Sequence, residues 1–180
     1  METQELMDLA LAAGFTHASV ADAAVLKPLQ EVRDMCAVNS CHKYDSCWSC
    51  PPACGDLETC AAKMAQYRTV LMVQVVGQLE DSLDIETMQE LQQQQKEAFQ
   101  KLLPQMRARF PEVLPLGAGC CTVCKECTYP DAPCRFPDKA LSSMEAYGLL
   151  VSQACTDCGL RYNYGPNTMA YTGCFLFGRR

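Results

Sequence analysis

The sequence predicts an α+β (or α/β) fold: a small central β-sheet with helices packed over it and two cysteine-rich loops at one edge. Three observations carry this. The segment TVLMVQVVG at 69–77 is rich in β-branched residues and lacks polar alternation, the pattern of a strand buried on both faces. From Asp84 onward Ile85, Met88, Leu91, Ala98, Phe99 and Leu102 recur at helical spacing. Most of the 14 cysteines crowd into two short stretches that carry loop residues.

Taken in order, residues 2–13 place Leu6, Leu9, Ala10 and Ala13 on one helical face, and Gly14 is a natural stop before a short strand at His17 to Val20. The first cysteine loop runs from Cys36 to Cys60, and the strand at 69–77 follows. Asp84 is a good N-cap for the long helix, which is expected to end at Pro104 because proline has no amide proton to continue it. The glutamines at 92–95 read as solvated helix surface. A short strand near 112–118 leads into the second cysteine loop. Ser142 and Glu145 form an S-x-x-E capping box that predicts a helix to about Cys155, and RYNYGPNTMAYTGCFLF predicts a closing hairpin around Gly165 and Pro166. No linker is visible, so residues 1–180 read as one domain. The two cysteine stretches have different spacings, which argues against duplication.

Composition narrows the chemistry. A chain of 180 residues can bury a real core, so a metal would supplement the fold. With 15 Lys+Arg against 21 Asp+Glu, the net charge of -6 repels phosphate backbones and excludes nucleic acid as a general partner. The opening METQELMDLA has neither a basic region nor an apolar one, so no secretory signal is read and a cytoplasmic, reducing compartment is expected. The longest apolar run, Val70 to Val76, is interrupted by Gln74 and is too short to span a membrane. Disulfides are not expected there. With only two histidines, any ligand set must be dominated by thiolates.

Cys121, Cys124, Cys127 and Cys134 stand at C-x2-C-x2-C-x6-C. Three thiols two residues apart can wrap one face of a cubic cluster, and a fourth after a short loop closes the coordination, so the spacing predicts a [4Fe-4S] site. Four-thiolate zinc is the alternative, although such sites usually take two separated C-x2-C pairs. The first loop carries Cys36, Cys41, Cys47, Cys50, Cys54 and Cys60, more thiols than one cluster needs. From spacing alone, a zinc site, a split cluster or inert buried cysteines could use some of them. Cys155 and Cys158 form a C-x2-C at the expected C-terminus of a helix, where the dipole opposes thiolate formation, so a reactive dithiol is disfavoured. With Cys174 and Cys120 or Cys54 they could build a third metal site, while buried free cysteines are the favoured reading. Arg135 and Lys125 could offset cluster charge, and Tyr44, Trp48 and Phe136 could shield a cluster from water. No phosphate loop and no Ser/His/Asp set can be assembled.

CHKY, CWSCPP, the C-x2-C-x2-C run, CRFP and SSMEAYG together resemble the cysteine-rich predicted metal-binding protein family, a domain of unknown function common in anaerobic bacteria and archaea. The resemblance covers about Leu6 to Phe177. It falls on Cys36, Cys41, Tyr44, Trp48, Cys50, Pro51, Pro52, Gly55, Glu58 and Cys60 in the first loop. In the second it falls on Gly119, Cys121, Cys124, Cys127, Cys134, Arg135, Pro137, Ser143, Met144, Glu145 and Gly148. It implies two four-cysteine sites, Cys36, Cys41, Cys50 and Cys60 in one and Cys121, Cys124, Cys127 and Cys134 in the other, with Cys47 and Cys54 left over. Cys120, Cys155, Cys158 and Cys174 lie outside that pattern, and the family implies no reaction.

The expectation is therefore a cytoplasmic protein with two [4Fe-4S] clusters that exchanges single electrons with a redox protein partner. Full ligation leaves no open iron, which favours a non-catalytic carrier over an enzyme. The alternatives are a cluster-dependent enzyme with an open iron that binds a small molecule, and a zinc-stabilised interaction module.

Overall fold

A computed structural model describes residues 3–180. In chain order the elements are α1 (Thr3–Ala13), β1 (His17–Asp22), α2 (Gln30–Ala37), α3 (Leu57–Met64), β2 (Tyr67–Gln78), α4 (Ile85–Arg109), β3 (Leu114–Gly117), β4 (Ser142–Ser143), α5 (Val151–Asp157) and β5 (Thr168–Arg179). The five strands form one sheet in the order β1-β2-β5-β3-β4. All pairings are antiparallel except that of β3 with β4. This is an α+β fold with a mixed sheet.

Because side chains alternate along a strand, β2 and β5 feed two cores. Leu71, Val73 and Val75 of β2 join Phe175 and Phe177 of β5 under α1 and α4. Phe175 stacks on Phe99 with ring centroids 4.3 Å apart, and Phe15 meets Phe99 edge-on at 6.2 Å. On the other face Val70, Met72, Cys174 and Leu176 pack with Cys60 and Met64 of α3, Met144 and Tyr147 in a 3-10 turn, and Ala154 of α5. Burial on both faces explains why β2 reads as an unbroken apolar run.

Gln74 is the polar exception in β2, fully buried and fully engaged. Its amide donates to the Arg161 carbonyl at 2.9 Å and to Thr172 Oγ1 at 3.1 Å, and it accepts from the Tyr164 hydroxyl at 2.8 Å. These bonds hold the 161–164 segment against the sheet in irregular form. The expected hairpin around Gly165 is therefore corrected to a single strand, β5, which pairs with β2 from Tyr67↔Arg179 to Gln78↔Thr168. The long β2 edge offers a more extensive ladder than a short hairpin could.

Two helix limits also differ from expectation. Asp84 caps α4 as predicted, its Oδ1 accepting from the Thr87 amide at 3.1 Å. The helix passes through Pro104 to Arg109, because Leu102, Leu103 and Met106 stay buried on the sheet side and packing outweighs one missing backbone bond. Ser142 and Glu145 form no capping box: Ser142 lies in β4, Ser143 Oγ accepts from the Ala146 amide at 3.1 Å, and the next helix begins only at Val151. Helices α2 and α3, which frame the first cysteine loop, were not visible as periodic patterns.

Between the 3-10 turn and α5, Gly148 adopts φ 79°. A Cβ there would stand 2.5 Å from Leu57 Cδ1 and 3.2 Å from the Leu29 carbonyl, and the Leu29 amide donates to the Gly148 carbonyl at 2.8 Å. Gly148→Ala is expected to destabilise the protein by roughly 1–2 kcal/mol from the left-handed backbone alone, with the clash adding to it. A thermal melt reads this as a Tm drop of several degrees.

Candidate metal centre

The thiols fall into three groups in space, and the first is built around Arg33. Three residues before Cys36 on α2, its guanidinium donates to the Ala146 carbonyl at 2.5 Å and to the Gly55 carbonyl at 2.7 Å. It also reaches Cys54 Sγ at 3.7 Å and Cys60 Sγ at 3.8 Å. The Cys36 thiol points at the Glu145 carbonyl at 3.8 Å and the Cys54 thiol at the next one, Ala146, at 3.7 Å. Cys60, from the first turns of α3, is wholly buried. Cys54 and Cys60 share a proton: the hydrogen bond from Cys54 lowers Cys60 to about 7 against the opposing effect of burial, with help from Arg33 and Lys63. Cys54, which keeps the proton, is raised. Cys36 is raised by burial and then by the Glu145 carboxylate, and it also senses Cys41. Cys41 is exposed at the mouth of this group. Glu145 Oε2 is buried with no hydrogen-bond partner.

The loop reaches this shape through three left-handed non-glycine residues, Asn39, His42 and Asp45. Asn39 is suited to that role because its side chain can take up a neighbouring backbone bond, here the Tyr44 amide at 3.0 Å.

The second group lines one small cavity that contains Cys121, Cys124, Cys127 and Cys134 together with Cys47 of the first loop. Trp48, Val123 and Ala140 complete its wall. Burial raises the Cys121 thiol, while the backbone amides of Val123 and Leu141 donate to its sulfur and oppose that shift. Cys47 is lowered to about 5, chiefly because the Cys50 thiol donates to it, and Ser49 and the Cys50 amide add further donors. Cys50 is raised in return and senses Cys120.

The two loops are clasped into one unit. Trp48 Nε1 donates to the Ala132 carbonyl at 3.0 Å, its ring meets Tyr129 edge-on at 5.0 Å, and the Tyr129 hydroxyl donates to Asp45 Oδ1 at 2.6 Å. Arg135 donates to the Glu126 carbonyl at 2.8 Å, which tightens the second loop on itself. Phe136 is 43% exposed, too open to shield anything by itself.

Cys155, Cys158 and Cys174 form the third group, under the sheet. Cys174 is raised well above its ordinary value by complete burial, and burial pushes Cys158 up to about 12. Cys155 takes a hydrogen bond from Gln74 Nε2 at 3.4 Å and contacts Thr172 at 3.8 Å. Cys158 caps the C-terminal end of α5, as the sequence suggested. These are protonated thiols packed as small apolar side chains. Among the described residues no three His, Cys, Asp or Glu side chains converge closely enough to hold a single ion, so the thiols are gathered into groups without meeting at one point.

Every sequence-predicted ligand is thereby placed. Cys121, Cys124, Cys127 and Cys134 share one cavity; Cys36, Cys41 and Cys60 lie in the Arg33 group; Cys50 pairs with Cys47 on the side facing the second loop. Cys54 stands beside Cys60. Sequence reasoning overlooked Arg33, whose signal was its place one helical turn before Cys36, and it set aside Cys47 and Cys54 because the family resemblance does not fall on them.

Two loops that gather eleven of the 14 cysteines beside an α+β sheet, with Ser49 the hydroxyl at Cys47, define a cysteine-rich protein suited to metal binding. The family comparison agrees: the model for the predicted metal-binding protein family DUF2284 matches residues 20–177, and the chain belongs to that family. No curated protein matches the chain. No solved structure matches it either. Among the described residues no helix is long and apolar enough to cross a membrane.

Proposed function

We propose that the chain holds two [4Fe-4S] clusters, one at each cysteine loop, and exchanges single electrons with a redox protein partner in the cytoplasm. The observation that carries this reading is the cavity shared by Cys121, Cys124, Cys127 and Cys134, at the spacing that suits a cubic cluster. The donor chemistry fits such a group, since the donors are thiols and backbone amides already point at Cys47 and Cys121, and binding would draw the four sulfurs of the second loop together. A cluster bound there would supply a one-electron couple whose potential depends on burial and on hydrogen bonds to sulfur. Arg33, fixed by two carbonyls, places a permanent cation beside Cys54 and Cys60 and offsets thiolate charge. Trp48 and Tyr129, in edge-on contact, join the two loops beside the thiols.

For the second site we take the ligands to be Cys121, Cys124, Cys127 and Cys134. For the first we take Cys36, Cys41 and Cys60, with Cys54 as fourth ligand in preference to Cys50, since Cys54 adjoins Cys60 and shares Arg33 with it.

Anaerobic purification followed by iron, sulfide and zinc analysis tests the proposal. The expected result is a brown protein with broad absorbance near roughly 400 nm and about eight irons and eight sulfides per chain. A colourless protein containing zinc, or no metal, overturns it.

A further inference from the structure

A cavity of about 620 Å³ lies between α4 and the second cysteine loop, and of the proposed metal ligands only Cys121 touches it. Its size falls in the range of small-molecule sites. Phe99, Leu103, Pro104, Val123 and Leu141 make its walls apolar. Three cations line it, Lys96, Arg107 and Lys139, against one carboxylate, Asp138. None of the three forms an ion pair: the carboxylate bridges in the described residues belong to Arg109, Arg179 and Arg180. Arg107 donates to the Asp138 backbone carbonyl at 2.7 Å, and Lys139 sits over the Phe136 ring at 5.8 Å. In a chain of net charge -6, such a local surplus of positive charge is a selective feature.

Gln95 supplies the second observation. The sequence places it on solvated helix surface, and the structure corrects this. It follows Leu91 by four residues and precedes Phe99 by four, so it falls on the buried face of α4 and is only 2% exposed. It lines the cavity, yet its amide nitrogen has no hydrogen-bond partner. An unmade bond of this kind is costly to stability and therefore unusual. Because the terminal torsion of glutamine is soft, the carboxamide can turn a donor or an acceptor toward a bound molecule.

We propose that this cavity binds a small organic anion, its apolar body against Phe99, Leu103 and Leu141, its charge among Lys96, Arg107 and Lys139, and a polar atom completing the Gln95 amide. The bound molecule would adjoin Cys120 and Cys121, at the back of the second cysteine loop. The proposal stands whichever metal that loop holds.

Isothermal titration calorimetry of the protein as purified, with its metal content measured in parallel, tests it. The probe is 8-anilinonaphthalene-1-sulfonate, an aromatic body with one fixed negative charge. Saturable binding at one site per chain is expected, at least tenfold tighter than that of neutral N-phenyl-1-naphthylamine and weakening as salt rises. Lys96→Gln is expected to weaken the probe at least threefold. Gln95→Leu is expected to weaken it at least fivefold while leaving the melting temperature unchanged or higher, because an apolar replacement removes the unpaired amide. A merely structural glutamine would instead lower the melting temperature. Absence of saturable binding, equal affinity for the neutral analogue, or unchanged affinity in both variants overturns the proposal, and unaltered iron content in those variants separates its failure from failure of the metal reading.

Discussion

Replacing Cys124 by Ser is expected to cut iron and sulfide from about eight to about four per chain and to halve the absorbance near roughly 400 nm, because the cluster of the second loop is lost and that of the first is kept. Cys124 is the central thiol of the C-x2-C-x2-C run and lines the cavity with Cys121, Cys127 and Cys134. An oxygen in its place is a harder and poorer ligand for iron held among thiolates. The fold should persist, since Cys124 belongs to neither hydrophobic core. The comparison variant is Cys120→Ser, at the neighbouring thiol, which faces the large cavity and is expected to keep all its iron. If Cys124→Ser retains the full iron content, or if both variants lose it equally, the assignment of the second site fails.

Cys54→Ser is expected to remove the other half of the iron, while Cys50→Ser leaves it in place. The contrast is sharp because the two residues are only four apart and both are buried. Cys54 shares Arg33 and a proton with Cys60, whereas Cys50 shares its proton with Cys47 on the opposite side of the loop. Electron paramagnetic resonance of the dithionite-reduced protein would show which signal disappears. The reverse result, with iron lost in Cys50→Ser and kept in Cys54→Ser, returns the fourth ligand to Cys50, as the family resemblance implies. Loss in both would mean that the loop must be intact to fold around its cluster, and a thermal melt of each variant after iron removal then decides between ligation and folding.

Much of the architecture was legible in the chain. The buried strand β2 was visible in its β-branched run, the start of α4 in Asp84, and the first helix in Leu6, Ala10 and Ala13, because periodicity and capping are local. The errors arose where distant partners decided. Pro104 stays helical because Leu102, Leu103 and Met106 pack beneath it, and the tail runs as one strand because β2 offers it a full-length partner. Gln95 looks like its exposed neighbours Gln93 and Gln94 in composition, and only its register against Leu91 and Phe99 puts it inside. Counting that register through the glutamine run would have found it.

The order of amino acids alone settles that this is a thiolate-rich chain with a sheet, helices and a regularly spaced second cysteine loop, because composition and short-range spacing are properties of the chain itself. It cannot rank six cysteines in one loop. Their grouping depends on Arg33, one helical turn ahead, on the 145–146 carbonyls roughly a hundred residues away, and on the Trp48 and Tyr129 contact that joins the loops. Those are through-space relations created when the sheet brings α2, α3 and the second loop to a common edge. The cavity under α4 has the same origin, since its cations come from segments some forty residues apart and face one another only after the chain has folded.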